Sequence, residues 1–176
     1  MKKRSFLANT KVAWVITLVM AVFGLFLGVL TTYSRMRRDI EENFVETALP
    51  IISQASVFAF NIQTISAPYL TSSEIESIDI SNIVQNIQNA DDVDEIFRYY
   101  IYLNRAVWYI YDIYPQRNFS DDSMGFLYVY HLNFVEQDRR LALSPYNAEA
   151  LRFNEALHRG LGFLARPFIS YLPRFD

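Results

Sequence analysis

Few side chains suited to acid–base or metal chemistry are present, and their spacing does not assemble a reaction centre. The histidines are His131 and His158. Glu155 stands one helical step before His158 and makes a lone E-x-x-H, while His131 has no carboxylate at either helical step. A di-metal helical bundle needs paired E-x-x-H motifs and further glutamates on facing helices, so a metal-dependent hydrolase rests on Glu155 and His158 alone. The acidic run Asp91, Asp92, Asp94 and Glu95 lacks the glycine and alternation of a calcium loop. It suits a helix start, where carboxylates face the positive end of the peptide dipoles. The chain has no glycine-rich phosphate loop, no G-x-S-x-G and no cysteine nucleophile, and no histidine is placed to complete a triad. No enzymatic activity, catalytic residue, cofactor or metal ligand is expected.

The polar residues that do share a helix face are Asn147 and Asn154, which fall beside Tyr146 and Phe153. They can stitch two helices through hydrogen bonds or line a binding site. Glu136 is expected in the same polar layer, with Arg105 as its partner across the helices. Such a pair fixes register more than it adds stability.

Length and composition frame these residues. With 176 residues there is room for one domain plus an anchor. Hydrophobic residues make up 52% of the chain, yet mean hydropathy is only +0.07, so the apolar residues are concentrated. Glycine (5) and proline (6) are scarce, which favours long uninterrupted elements over a turn-rich β fold. The net charge of -3 and thinly spread Lys and Arg exclude the basic stripe of a nucleic-acid binder. Absence of cysteine excludes disulfides and thiolate metal sites.

The concentrated apolar stretch is VAWVITLVMAVFGLFLGVL, residues 12–30, without a charge. Extended to residue 33 it gives roughly 33 Å of helix at ~1.5 Å per residue, which matches a bilayer core of about 30 Å. Residues 1–11 form a short basic segment with Lys2, Lys3, Arg4 and Lys11, and Arg35, Arg37 and Arg38 follow the span. Trp14 and Tyr33 sit near its ends, where amphipathic rings settle at the headgroups. A signal peptide would be shorter and would end in a small-residue cleavage site, which Leu30-Thr31-Thr32-Tyr33 does not offer. Residues 12–33 are therefore expected to form an uncleaved, single-pass transmembrane helix. The Lys/Arg balance leans towards a cytoplasmic N-terminus and an extracytoplasmic C-terminal domain.

Residues 34–160 read as a helical domain. Ile40, Phe44, Ala48, Ile51, Ile52, Ala55, Phe58, Ala59 and Ile62 recur at helical steps, with Pro50 expected to kink this helix and Pro68 to end it. Residues 69–90 are read as a connection with a short helix in its second half. The next helix, about residues 92–114, carries a stripe of Ile96, Tyr100, Leu103, Val107, Ile110 and Tyr114. Further rings widen its apolar face beyond what one bundle contact covers. Tyr99, Tyr102, Trp108 and Tyr109 are the expected contacts with a partner or the membrane surface, since such rings bury while their polar tips stay wet. After Pro115, Asp121 or Asp122 is expected to cap a third long element over residues 124–157. There Pro145 either kinks one helix or follows Ser144 as the first residue of another. The tail, residues 161–176, alternates Phe163, Phe168, Tyr171 and Phe175 with basic residues. It either lies among lipid headgroups or caps the helices.

Several of these residues resemble the bacterial LemA family. Asp39-Ile-Glu-Glu-Asn43-Phe44-Val45-Glu46-Thr47 is similar to that family's D-L-I-P-N-L-V-E-T segment, with Arg37 before it. Leu103-x-Arg105-Ala106 leads into Tyr114-Pro115 as the family's L-x-R stretch leads into its Y-P helix end. Glu136, Tyr146-Asn147 and Phe153-Asn154 follow the order of the family's glutamate and its repeated Y-N helix. The departures are a much shorter stretch between anchor and first motif, and Glu42 where the family has proline. The resemblance implies an all-α fold: an N-terminal transmembrane helix continuing into an antiparallel up-and-down bundle of long helices, in a bacterial cytoplasmic (inner) membrane. It implies no established enzymatic activity. One relative helps build magnetosome membranes, which implies a scaffold that organises membranes or membrane proteins. The expected partners are the lipid bilayer and a membrane protein or a second copy, with no nucleic acid; an accessory subunit of a larger membrane complex is the alternative. Either reading expects an aromatic strip to remain exposed on the single chain.

Overall fold

Long apolar and amphipathic runs almost free of glycine dictate helices, and the computed structural model, which describes residues 10–175, is all-helical with no strand among the described residues. The basic side chains Lys2, Lys3 and Arg4, on which the orientation depends, lie outside the described residues. The chain divides into two compact units, each made of two separate stretches of sequence.

The first unit comprises residues 10–39 and 153–171. Its core is the start of α1 (Thr10–Thr47), one unbroken helix of 38 residues. That helix is long and apolar enough to cross a membrane, and its apolar side chains face outward: Trp14 is 71% exposed, and Leu18, Met20, Val22 and Phe23 are exposed too. Within the span, Thr17, Thr31 and Thr32 donate their hydroxyls to carbonyls four residues back at 3.0, 2.8 and 2.8 Å. Hydroxyls turned onto their own helix suit hydrocarbon, where unpaired polar groups are costly. From Phe26 onward one stripe acquires cover, with Val29 buried and Phe26, Leu30 and Tyr33 half-buried. The end of α7 (Pro145–His158) lies antiparallel to this stripe: the Tyr33 hydroxyl donates to the Ala156 carbonyl at 3.2 Å, and its ring meets Phe153 at 6.4 Å. Gly160, with φ of 55°, turns the chain into the short helix α8 (Gly162–Ala165).

The second unit holds residues 40–152 and 172–175. Helical dihedrals run through Ala48 (φ −97°, ψ −41°) into α2 (Leu49–Ser66), so Pro50 in the first turn kinks the rod without ending it. Pro68 falls in a terminal 3-10 turn, Ala67–Tyr69, and closes α2. The connection is more helical than the sequence suggested: α3 (Ser72–Ile78) precedes α4 (Ile80–Asn89). Its start is a capping box, with Thr71 accepting from the Glu74 amide and the Glu74 carboxylate taking the Thr71 amide at 2.7 Å. Asp92 then caps α5 (Val93–Ile113) by accepting from the Glu95 amide at 2.7 Å.

At α6 (Asp121–Ala142) the expected cap is corrected. Ser120, extended at φ −68° and ψ 154°, accepts from the Ser123 amide at 3.2 Å. Asp121 and Asp122 lie one step inside, in the first turn, where their charge still meets the helix dipole. The ambiguity at Pro145 resolves as a new helix: the Ser144 hydroxyl accepts the Asn147 amide at 3.3 Å and Pro145 opens α7. Phe58 of α2 meets Tyr130 of α6 while Tyr69, just past α2, meets Ser123, and Tyr100 of α5 meets Phe134 while Tyr111 meets His131, so α6 runs antiparallel to both α2 and α5. Ile52, Ile62, Leu103, Ile110, Leu127 and Phe134 fill the fully buried layer between them.

Candidate functional site

Two polar residues of the second unit at the start of α7, Tyr146 and Asn147, hold the segment 172–175. Asn147 is buried and spends its whole amide there: its Nδ2 donates to the Phe175 carbonyl at 2.8 Å and to the Ala142 carbonyl at 2.9 Å, and its Oδ1 accepts from the Phe175 amide at 2.9 Å. The Tyr146 hydroxyl donates to the Pro173 carbonyl at 2.9 Å. This pins Phe175 into a ring cluster, with centroids 5.1 Å from Phe97, 5.6 Å from Tyr100, 6.0 Å from Tyr146 and 6.2 Å from Phe44. Of the two expectations for the tail, a membrane or partner surface and a cap on the helices, Phe175 meets the second: it is 5% exposed and belongs to the core. The tail therefore divides, with residues 172–175 capping the helices.

The layer expected between Arg105 and Glu136 is built from other residues. Glu136 is exposed on α6 and bonds Arg139 through both oxygens at 2.8 and 2.9 Å, which holds its carboxyl below the ordinary range. Across α5 and α6, the Tyr100 hydroxyl and the Asn104 amide both donate to Asp138 Oδ1, at 3.0 and 3.1 Å. Burial, followed by the Asp138 charge, raises the Tyr100 hydroxyl well above its usual range and keeps it a donor. Arg105 is exposed and lines an open cavity of about 420 Å³ with Phe97, Asn104, Asp138, Arg174 and Phe175. Asn154 belongs to the first unit and is half-buried.

The histidines face rings. His131 is buried between Tyr111, stacked at 3.7 Å and 8°, and the edge of Trp108 at 4.8 Å. Burial lowers its pKa, and the Asp112 charge opposes that shift. His158 stacks on Tyr171 and shares a 3.0 Å hydrogen bond with its hydroxyl, while Glu155 pairs with Arg159 at 3.4 Å. The E-x-x-H is thus turned to neighbours within its own unit. Among the described residues no three His, Cys, Asp or Glu side chains gather as a metal site would require.

What the second unit offers outward is apolar. Tyr102, Trp108 and Tyr109 of α5 are exposed and Tyr99 is half-buried. The first half of α6 adds a face the sequence reading missed: Phe126 at 59%, with Met124, Tyr128, Val129 and Leu132 also exposed. Its signal was the uncharged run SMGFLYVYHLNFV between Asp122 and Glu136, too long to be buried on one side of a helix. Trp108 leans on His131, which joins the exposed rings of α5 to this face. In the first unit, Phe163, Phe168 and Tyr171 are exposed. No family model, no curated protein and no solved structure matches the chain.

Proposed function

We propose that the chain is a membrane-anchored, non-enzymatic interaction protein, a scaffold of LemA-like architecture whose helical bundle docks a membrane protein through the α5–α6 face. The observation that carries this reading is the aromatic and Met-containing surface of Met124, Phe126, Tyr128, Val129, Leu132 and Trp108, outside the anchor helix. Interface centres are depleted in charge and enriched in such side chains, and a contiguous apolar patch in water marks a contact site. The N-terminal helix supplies the address, the inner membrane of a bacterium, with the bundle on its outer side. The resemblance in the Asp39–Thr47 and Tyr146–Asn154 stretches supports the same architecture.

Purification in mild detergent, with the Phe126→Glu/Leu132→Glu variant as comparison, tests the proposal. The wild type is expected to co-purify with a membrane protein and the variant to lose it while keeping its melting temperature. A fixed-stoichiometry complex would mark the chain as an accessory subunit, and self-assembly would mark a second copy as the occupant. A wild type that stays monomeric and brings down nothing would overturn it.

A further inference from the structure

Resting on that anchored reading, we infer that residues 161–171 form a second membrane-contacting element, seated at the headgroup–acyl boundary of the leaflet from which α1 emerges. The contacts that position this segment all belong to the first unit. Phe168 packs edge-on against Phe26 at 5.6 Å, and Phe26 belongs to the uncharged run of α1. Phe26 lies about 10 Å before Tyr33 along the helix axis at ~1.5 Å per residue. A leaflet that covers the neighbouring Phe23 and Leu27 must also reach Phe168.

The segment's outward face fits that environment. Phe168 is 67% exposed, Phe163 59% and Leu161 49%. Large apolar side chains flanked by Arg159 and Arg166 match the pattern of a segment lying in the interface plane. The Arg166 guanidinium sits 5.7 Å over the Tyr171 ring, and both are exposed. Arg35 on α1 is exposed as well, so guanidinium groups and aromatic tips occur together, as at a headgroup belt.

Depth is fixed by covalently distant contacts that leave the segment little freedom. Arg37 donates to the Ser170 carbonyl at 3.0 Å and also bonds the Ser170 hydroxyl. Gly162 is buried so closely that a Cβ there would overlap the Ala156 carbonyl oxygen and crowd the Tyr33 hydroxyl. The hydrocarbon boundary then falls near Val29 instead of Tyr33. Residues 12–29 still supply about 27 Å of helix, enough for a core of about 30 Å with slight local thinning.

The chain contains no cysteine, so single nitroxide labels report depth directly. Full-length Phe163→Cys and Phe168→Cys would be labelled and reconstituted into phosphatidylethanolamine–phosphatidylglycerol vesicles, with Val19→Cys and the exposed Gln54→Cys as references. Collision with oxygen and with a water-soluble nickel chelate is then measured by power saturation. Both labels are expected to be oxygen-accessible and several-fold less nickel-accessible than the Gln54→Cys label. Nickel accessibility equal to that of Gln54→Cys would place the segment in water and overturn the inference. Low accessibility to both reagents would mean cover by protein, and would overturn it too. Failure of the Val19→Cys label to sense the hydrocarbon would instead remove the anchor, and this inference with it.

Discussion

Asn147 does for the C-terminus what a neighbouring strand would do, giving and taking a hydrogen bond with the backbone of one buried residue. Replacing it leaves the Phe175 amide and carbonyl without their partner inside the structure, a change worth about 1–3 kcal/mol per stranded group. Asn147→Ala is expected to destabilise the chain by about 2–4 kcal/mol on that basis. Denaturant unfolding would measure this, with carboxypeptidase trimming as a second readout. Unchanged stability would show that the ring cluster and the Tyr146–Pro173 hydrogen bond hold the tail without Asn147. His131 carries a pH prediction. Burial depresses its folded pKa below the ordinary 6.5, so the unfolded chain binds the proton more readily. Stability from this group is complete above about 6.5 and declines as pH falls below it, until the folded pKa is passed. The melting temperature is expected to drop from pH 7 towards 5, and His131→Phe, which keeps a ring against Tyr111, is expected to flatten that slope. An identical slope in the variant would assign the effect to other groups.

Among elements, the readable ones were those whose signal is local. Apolar steps through Ile52, Ala55, Ala59 and Ile62 located α2, and Asp92 announced α5. Helix α3 was missed although Thr71-x-x-Glu74 is a capping-box pattern, because the Ser-rich run around it reads as loop. The polar layer was harder for a different reason. Asp138 shares the inner face of α6 with Leu127, Phe134 and Leu141, yet nothing local distinguishes it from Glu136, which the helix turns outward. The choice between the two readings of Phe175 is not legible in the sequence, because a residue's partners across the chain are not encoded in its neighbours. A cap is also measurable: Ser144→Ala removes the acceptor for the Asn147 amide and is expected to cost about 1 kcal/mol. The loss would appear as a shifted denaturant midpoint with an unchanged slope, and no shift would mean that Pro145 alone sets the start of α7.

At the scale of the molecule, α1 determines what kind of solvent the fold needs. From Trp14 to Leu27 most of its large apolar side chains are exposed among the described residues, and water around so long an apolar surface would drive aggregation. Removing residues 1–33 would not simply yield a soluble domain, because Tyr33 and Phe26 are also the seat of Phe153, Ala156 and Phe168 in the first unit. The truncated chain is expected to bind a hydrophobic dye and to expose residues 153–171 to protease, while the second unit, with its own buried layer of Ile52, Leu103, Leu127 and Phe134, stays resistant. Limited proteolysis with mass analysis of the surviving fragment decides the matter. Cleavage throughout α2 and α6 would show that the second unit depends on residues 1–33 for its stability. Protection of residues 153–171 would show that α1 takes no part in folding the residues that pack on it.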